Sequence, residues 1–336
     1  MTPLLTVNNL HVSFHSYQGE IQAVRGIHFA VKPGETLAIV GESGCGKSVT
    51  AQTIMRLLPS TAKIVQGEIR YEQQDLTQLT EVKMESIRGS QIAMIFQDPM
   101  TSLNPTMTIG QQLMEGLRKH LHLNKRLAKK RAEELLSLVG ISNPHLRLKQ
   151  YPHQLSGGMR QRVMIAIALA GDPKLLIADE PTTALDVTIQ AQIMELLKSI
   201  QEKMGMALLL ITHDLGIVAE VADRVMVMYA GKIVEHGTVD ELFQHTKHPY
   251  TWGLLRSLPQ LKQSREESLV AIPGSPPDLL HPPKACPYVN RCLQAMVICD
   301  QTPPELTACS STHQVACWLE HPMASKEHEN RAGGDE

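Results

Sequence analysis

The chain has 336 residues, enough for about two domains, and its 43% hydrophobic content can fill a sizeable core. A formal net charge of −2 leaves no overall electrostatic footprint for nucleic acid. No apolar run approaches the roughly 20 residues that cross a bilayer, and the start, Met1-Thr2-Pro3, lacks the basic-then-hydrophobic order of a leader.

Residues 5–7 and 10–14 read as strand material. The apolar run Thr36-Leu37-Ala38-Ile39-Val40 then has the length and branching of a buried strand. It leads straight into Gly41-Glu42-Ser43-Gly44-Cys45-Gly46-Lys47-Ser48. Gly41, Gly44 and Gly46 permit backbone conformations closed to other residues, so several N–H groups can face phosphate oxygens. Ser43, Cys45 and Val49 belong to the same phosphate cradle, Cys45 chiefly through its backbone N–H. Lys47 supplies a point charge for β- and γ-phosphates, and the Ser48 hydroxyl is placed to ligate Mg²⁺. A helix from there through about residue 58 adds its positive end.

Residues 109–122 and 127–139 place Leu113, Leu117, Leu121, Leu135, Leu136 and Val139 at helical spacing, which predicts an all-helical insert. The basic cluster 125–131 runs into Glu133-Glu134 and reads as a solvated helix face. Ser156 stands as an N-cap before the apolar helix 159–170, and Gly157 and Gly158 let a phosphate approach its N–H groups. This second anion site has no lysine or acid of its own.

Strand 174–178 ends in Asp179-Glu180-Pro181, so two carboxylates emerge at a sheet edge where ligands of open α/β sheets gather. Asp179 suits Mg²⁺, directly or through water, and Glu180 suits a base that orients attacking water. Strand 207–211 ends in Thr212-His213-Asp214, and His213 can contact the γ-phosphate while holding Glu180 in register. Residues 224–229 and 231–235 predict a hairpin turning at Ala230-Gly231. A short helix after His248-Pro249 leads out.

From about residue 258 the text changes to charges at 262–267 and then prolines through Pro283, which predicts an extended connector. Cys286, Cys292, Cys299 and Cys317 follow, with Cys309 extra. Clustered thiols of this kind point to metal or redox chemistry. Four thiolates suit zinc as well as iron, although the tight C-x₂-C pairs of zinc sites are missing. The polar tail 324–336 reads as disordered.

The order Gly41 to Ser48, Gln97 within Ile95-Phe96-Gln97-Asp98-Pro99, Leu155-Ser156-Gly157-Gly158-Met159-Arg160-Gln161, Asp179-Glu180, Ala184-Leu185-Asp186 and His213 resembles the nucleotide-binding subunit of ATP-binding cassette (ABC) transporters. The resemblance implies an α/β, ABC-type P-loop NTPase core with an antiparallel β subdomain, an all-helical insert and a small Cys-rich C-terminal extension. It divides the chain into a cassette over 4–257 with the insert at about 98–170, an extension over 258–323 and the tail. It also assigns roles. Gln97 becomes a Mg²⁺ ligand that faces the membrane partner, Asp186 lies between protomers, and Phe14 stacks on adenine with Tyr17 in reserve. Ser156, Gly157 and Gly158 close over ATP held by the opposite cassette.

Thr101-Ser102-Leu103-Asn104-Pro105 resembles the branch importing peptides and nickel. The four spaced cysteines look like the extension of dipeptide and oligopeptide importer ATPases, where they hold a [4Fe–4S] cluster. The implied function is ATP hydrolysis, with Lys47, Glu180 and His213 as catalytic residues, powering di- or oligopeptide import; a nickel importer is the alternative. The implied partners are a second, related cassette, two integral membrane permease subunits and, indirectly, an extracytoplasmic peptide-binding protein. The implied location is the cytoplasmic face of the membrane. A non-transport ABC ATPase of DNA repair or translation would normally carry two cassettes or a long insertion, and a non-hydrolysing cassette would have lost Glu180 or His213. Neither pattern occurs here.

Overall fold

Strand β1 (Leu5–Ser16) turns back into β2 (Gly19–Val31) by antiparallel pairing from Leu5 with Val31 to Ser16 with Gly19, so the two strand pieces expected at the start are one bulged strand. The structure, a computed structural model, describes residues 2–98, 102–183, 185–258, 272–322 and 324. After β3 (Thr36–Val40) and helix α1 (Lys47–Ile54) come β4 (Ala62–Tyr71) and β5 (Gln74–Asp75). These complete an antiparallel sheet ordered β2-β1-β4-β5. Helix α1 is shorter than the sequence suggests. Arg56 takes φ 50, its N–H reaches Thr53 O and the N–H of Leu57 reaches Gln52 O, a reversal that ends the helix at Ile54, ahead of Pro59.

Helix α2 (Glu81–Ile87) leads to β6 (Ile92–Ile95), and the insert follows as α3 (Ile109–Leu121), α4 (Lys125–Leu138), α5 (Pro144–Arg147) and α6 (Gly157–Ala168). Thr108 and Gln111 form a reciprocal capping box on α3, and Asn124 caps α4. Helix α4 buries Ala128, Ala132, Leu135 and Leu136, while Lys125, Arg126, Lys129 and Lys130 are exposed, so the basic cluster is a solvated face.

The remaining elements are β7 (Leu175–Asp179), α7 (Val187–Met204), β8 (Ala207–Ile211), α8 (Leu215–Val221), β9 (Arg224–Tyr229), β10 (Lys232–Thr238), α9 (Val239–Gln244), α10 (Pro249–Arg256), α11 (Val297–Gln301), β11 (Thr307–Ala308) and β12 (Gln314–Val315). They build a sheet ordered β11-β12-β10-β9-β3-β8-β7-β6, parallel from β9 to β6. Every residue of β3, β6, β7 and β8 is buried, as a parallel sheet covered on both faces requires. The expected hairpin is present, with Ala230 at φ 48 and Gly231 at φ 78 in its two-residue turn.

The Cys-rich extension adds β12 to the edge of β10, and its Cys286, Tyr288 and Cys299 belong to the same core as the helical insert. It is therefore a continuation of the cassette's packing. Glu235, fully buried, meets His313 of the extension at 2.9 Å and also accepts the N–H groups of Lys247 and His248. Residues 272–283 contain no helix, in line with their prolines. The charges at 262–267 and, apart from Ala324, the tail lie outside the described residues.

One histidine on this edge gives a pH signature. Burial pushes His236 down to about 4, with Arg224 and His313 adding to it, and its Nδ1 has no hydrogen-bond partner among the described residues. Unfolded, the ring titrates near 6.5, so between about 4 and 6.5 the unfolded chain binds more protons and stability falls on acidification. We predict that His236→Gln loses about 1–2 kcal/mol less than the parent between pH 7 and pH 5. Urea unfolding at both pH values checks this, and an equal loss in both proteins would contradict it.

Candidate active site

The loops after β3, β6, β7 and β8 all leave the same end of the parallel sheet. Between β3 and α1, Gly41 sits at φ 149 and Gly46 at φ 105. A Cβ on Gly41 would lie 2.2 Å from Met228 O, and one on Gly46 would lie 2.5 Å from Ala23 O, so the loop is clamped where only glycine fits. Lys47 is 4% exposed, and its Nζ donates to the carbonyls of Gly41 (2.8 Å) and Glu42 (2.9 Å). The Ser48 hydroxyl donates to Asp179 Oδ1 at 2.8 Å.

Asp179, also 4% exposed, closes β7. Burial pushes its carboxyl above the usual range and Glu180 adds to the push, while Ser48 and Lys47 oppose it. A hard cation at that carboxylate and hydroxyl would relieve the burial cost. Glu180 itself takes φ 46, a left-handed conformation that costs a residue with a side chain about 1–3 kcal/mol and turns its carboxylate toward three neighbours. Gln97 Nε2 donates to Oε2 at 2.9 Å, Thr183 Oγ1 donates to the same oxygen at 2.9 Å, and His213 Nδ1 stands 3.4 Å from Oε1. Ser43, Gly44, Gly46, Lys47, Ser48, Val49, Gln97, Glu180 and His213 line one cleft of about 510 Å³.

Other expected residues lie elsewhere. Phe14, paired with Ile21 and Ala62 in the antiparallel sheet, does not line this cleft, and Tyr17 is fully exposed. Ser156 caps α6, as expected, by accepting the Met159 N–H, but neither it nor Gly157 nor Gly158 lines the cleft. Instead, a Cβ on Gly158 would meet Ile189 at 3.0 Å, which places the start of α6 against α7. Asp186 caps α7 through the Ile189 N–H at 3.0 Å. Ala184 and residues 99–101, which carry part of the expected motifs, are outside the described residues.

Cys286, Cys292, Cys299 and Cys317 line one small pocket with Tyr288 and Trp318, and none is in a disulfide. Burial, with the neighbouring thiols adding to it, pushes Cys286 up to about 11 and Cys317 up to about 12. Among the described residues, no group of three or more His, Cys, Asp or Glu stands in a metal-holding arrangement. Cys309 lies apart, 4.0 Å from Glu320.

Several contributors escaped the sequence reading. Thr183 had a local signal, a hydroxyl three residues after an acid, which suits a turn. Tyr250, whose hydroxyl accepts the Glu42 N–H at 2.8 Å, and Arg291, which pairs with Glu42, are far away in sequence and had none.

The chain matches the ABC transporter family over residues 24–183 and the oligopeptide/dipeptide transporter C-terminal region over residues 234–299. It is 59% identical to the oligopeptide transport ATP-binding protein OppD of Bacillus subtilis, across 97% of this chain and 91% of that one. It is 57% identical to the dipeptide transport ATP-binding protein DppD of the same organism, across 96% and 97%. Among solved structures, it resembles a dimeric ATP-binding cassette in a post-hydrolysis state with ADP and Pi, with a TM-score of 0.63 and 28% identity over 70% of this chain and 98% of that one.

Proposed function

The chain belongs to the ABC transporter family, among its peptide-transport ATP-binding proteins, and from that membership we propose that it hydrolyses ATP to power import of di- or oligopeptides. It would do so at the cytoplasmic face of a membrane, beneath two permease subunits and paired with a second, related cassette. No helix among the described residues is long and apolar enough to cross a membrane, in keeping with a peripheral role. The observation that carries the reading is the convergence of Lys47, Ser48–Asp179, Gln97, Glu180 and His213, with the α6 cap left outside the cleft.

In this mechanism the loop N–H groups and Lys47 bind the phosphates, Lys47 exchanging its contacts with Gly41 and Glu42 for phosphate oxygens. Ser48, Asp179 and Gln97 would hold Mg²⁺, which would supply positive charge against the phosphates. Glu180 accepts the proton of the attacking water, while Gln97, Thr183 and His213 fix its carboxylate. The partner cassette's counterparts of Ser156 and Gly158 bring a second set of N–H donors, so ATP ties the two cassettes together and hydrolysis releases them. The insert, packed on the same core as the sheet, would carry that motion to the permease.

We further propose that Cys286, Cys292, Cys299 and Cys317 hold a [4Fe–4S] cluster. Support comes from the donor set: four thiols line one pocket, and four soft thiolate ligands are what an iron–sulfur cluster takes. The thiols would draw together around the cluster.

Lys47→Ala is expected to weaken nucleotide binding and abolish turnover, whereas Glu180→Gln keeps binding and accumulates as an ATP-loaded dimer. ATPase assays and size-exclusion chromatography with ATP check both, and a Glu180→Gln variant with the parent's rate would remove Glu180 as the base. Anaerobically purified protein is expected to contain iron and acid-labile sulfide in about equal amounts. The absence of both would end the cluster proposal.

A further inference from the structure

Glu42, the second residue of the phosphate loop, is held from several sides. Its N–H donates to Tyr250 and its carbonyl accepts Lys47. Its carboxylate is gripped by a residue 249 positions away: Arg291 Nη1 lies 2.6 Å from Oε2, and Nη2 lies 2.8 Å from Oε1. The Arg291 side chain is 4% exposed. Its Nε donates to Pro273 O at 2.8 Å, and its guanidinium lies over the rings of Tyr229 (5.7 Å) and Tyr288 (5.9 Å). The connector follows the same path. Pro276, Pro277 and Leu279 face Glu42, Ser43 and Gly44 across a cavity of about 160 Å³, and Leu279 O accepts the Gln22 N–H.

A forked pair of this kind could simply bolt the extension down. The position of Glu42 argues for more. A carboxylate inside a phosphate loop opposes a polyanion, and the Arg291 guanidinium beside it offsets that charge. The same pair also holds the residue whose carbonyl Lys47 must leave when phosphate arrives.

We propose that Arg291 is a positioning residue of the nucleotide site: through Glu42 it neutralises and sets the phosphate loop, making the C-terminal extension part of the ATP-binding apparatus. The inference rests on the ATPase reading above. It differs from a structural bolt in one respect: removing the cation should harm ATP binding through the stranded carboxylate, and removing that carboxylate too should restore it.

The test is steady-state ATPase kinetics on the full chain, with folding followed by circular dichroism. Arg291→Met is expected to raise KM for ATP about tenfold with kcat within about threefold, and Arg291→Lys, which keeps the charge but not the fork, to raise KM about threefold. Adding Glu42→Gln to Arg291→Met should bring KM back to within about threefold of the parent. An unchanged KM in Arg291→Met, or a double variant no better than the single, overturns the proposal. So does an Arg291→Met that fails to fold while Arg291→Lys keeps the parent's KM, because the residue is then only a bolt. A parent chain that binds no ATP, alone or with its partner cassette, would instead defeat the underlying functional reading.

Discussion

Parallel pairing of β9, β3, β8, β7 and β6 is the constraint on which the rest depends. Parallel strands all end on the same edge, so the phosphate loop, Gln97, the Asp179-Glu180 pair and His213 meet although they are spread over more than half of the chain. None of these side chains needs to move far to be useful. The backbone is committed by clamped glycines and by the left-handed Glu180, conformations that the buried sheet is strong enough to enforce.

The same sheet explains why the extension behaves as part of the cassette. β10 offers an edge that β12 completes, and the fully buried Glu235 demands the partners that His313 and the start of α10 supply. Arg291 then reaches back to the phosphate loop from the face carrying the thiols, immediately before Cys292.

Much of this was legible in the sequence because the signals are local. The Thr36–Val40 run followed by spaced glycines, the hydroxyl cap at Ser156 and the acids ending β7 each carry their meaning within a few residues. The early end of α1 was less visible, since it depends on Arg56 taking a conformation usually left to glycine. Invisible altogether were contacts that only tertiary packing creates: Tyr250 and Arg291 on Glu42, and His313 on Glu235. A buried arginine between two tyrosines has no periodicity or spacing to announce it. The thiols were legible as a set, and the fold brings them to one pocket.

The cap of α6, which the proposed mechanism makes the second anion-binding element, does not line the cleft of its own chain. The central claim is that a working site is assembled from two cassettes. The most direct measurement is the ATPase rate per chain as purified protein is diluted, with mass followed by light scattering. Assembly from two cassettes predicts a per-chain rate that falls toward zero as the chain becomes monomeric. A constant per-chain rate in the monomeric range would contradict it.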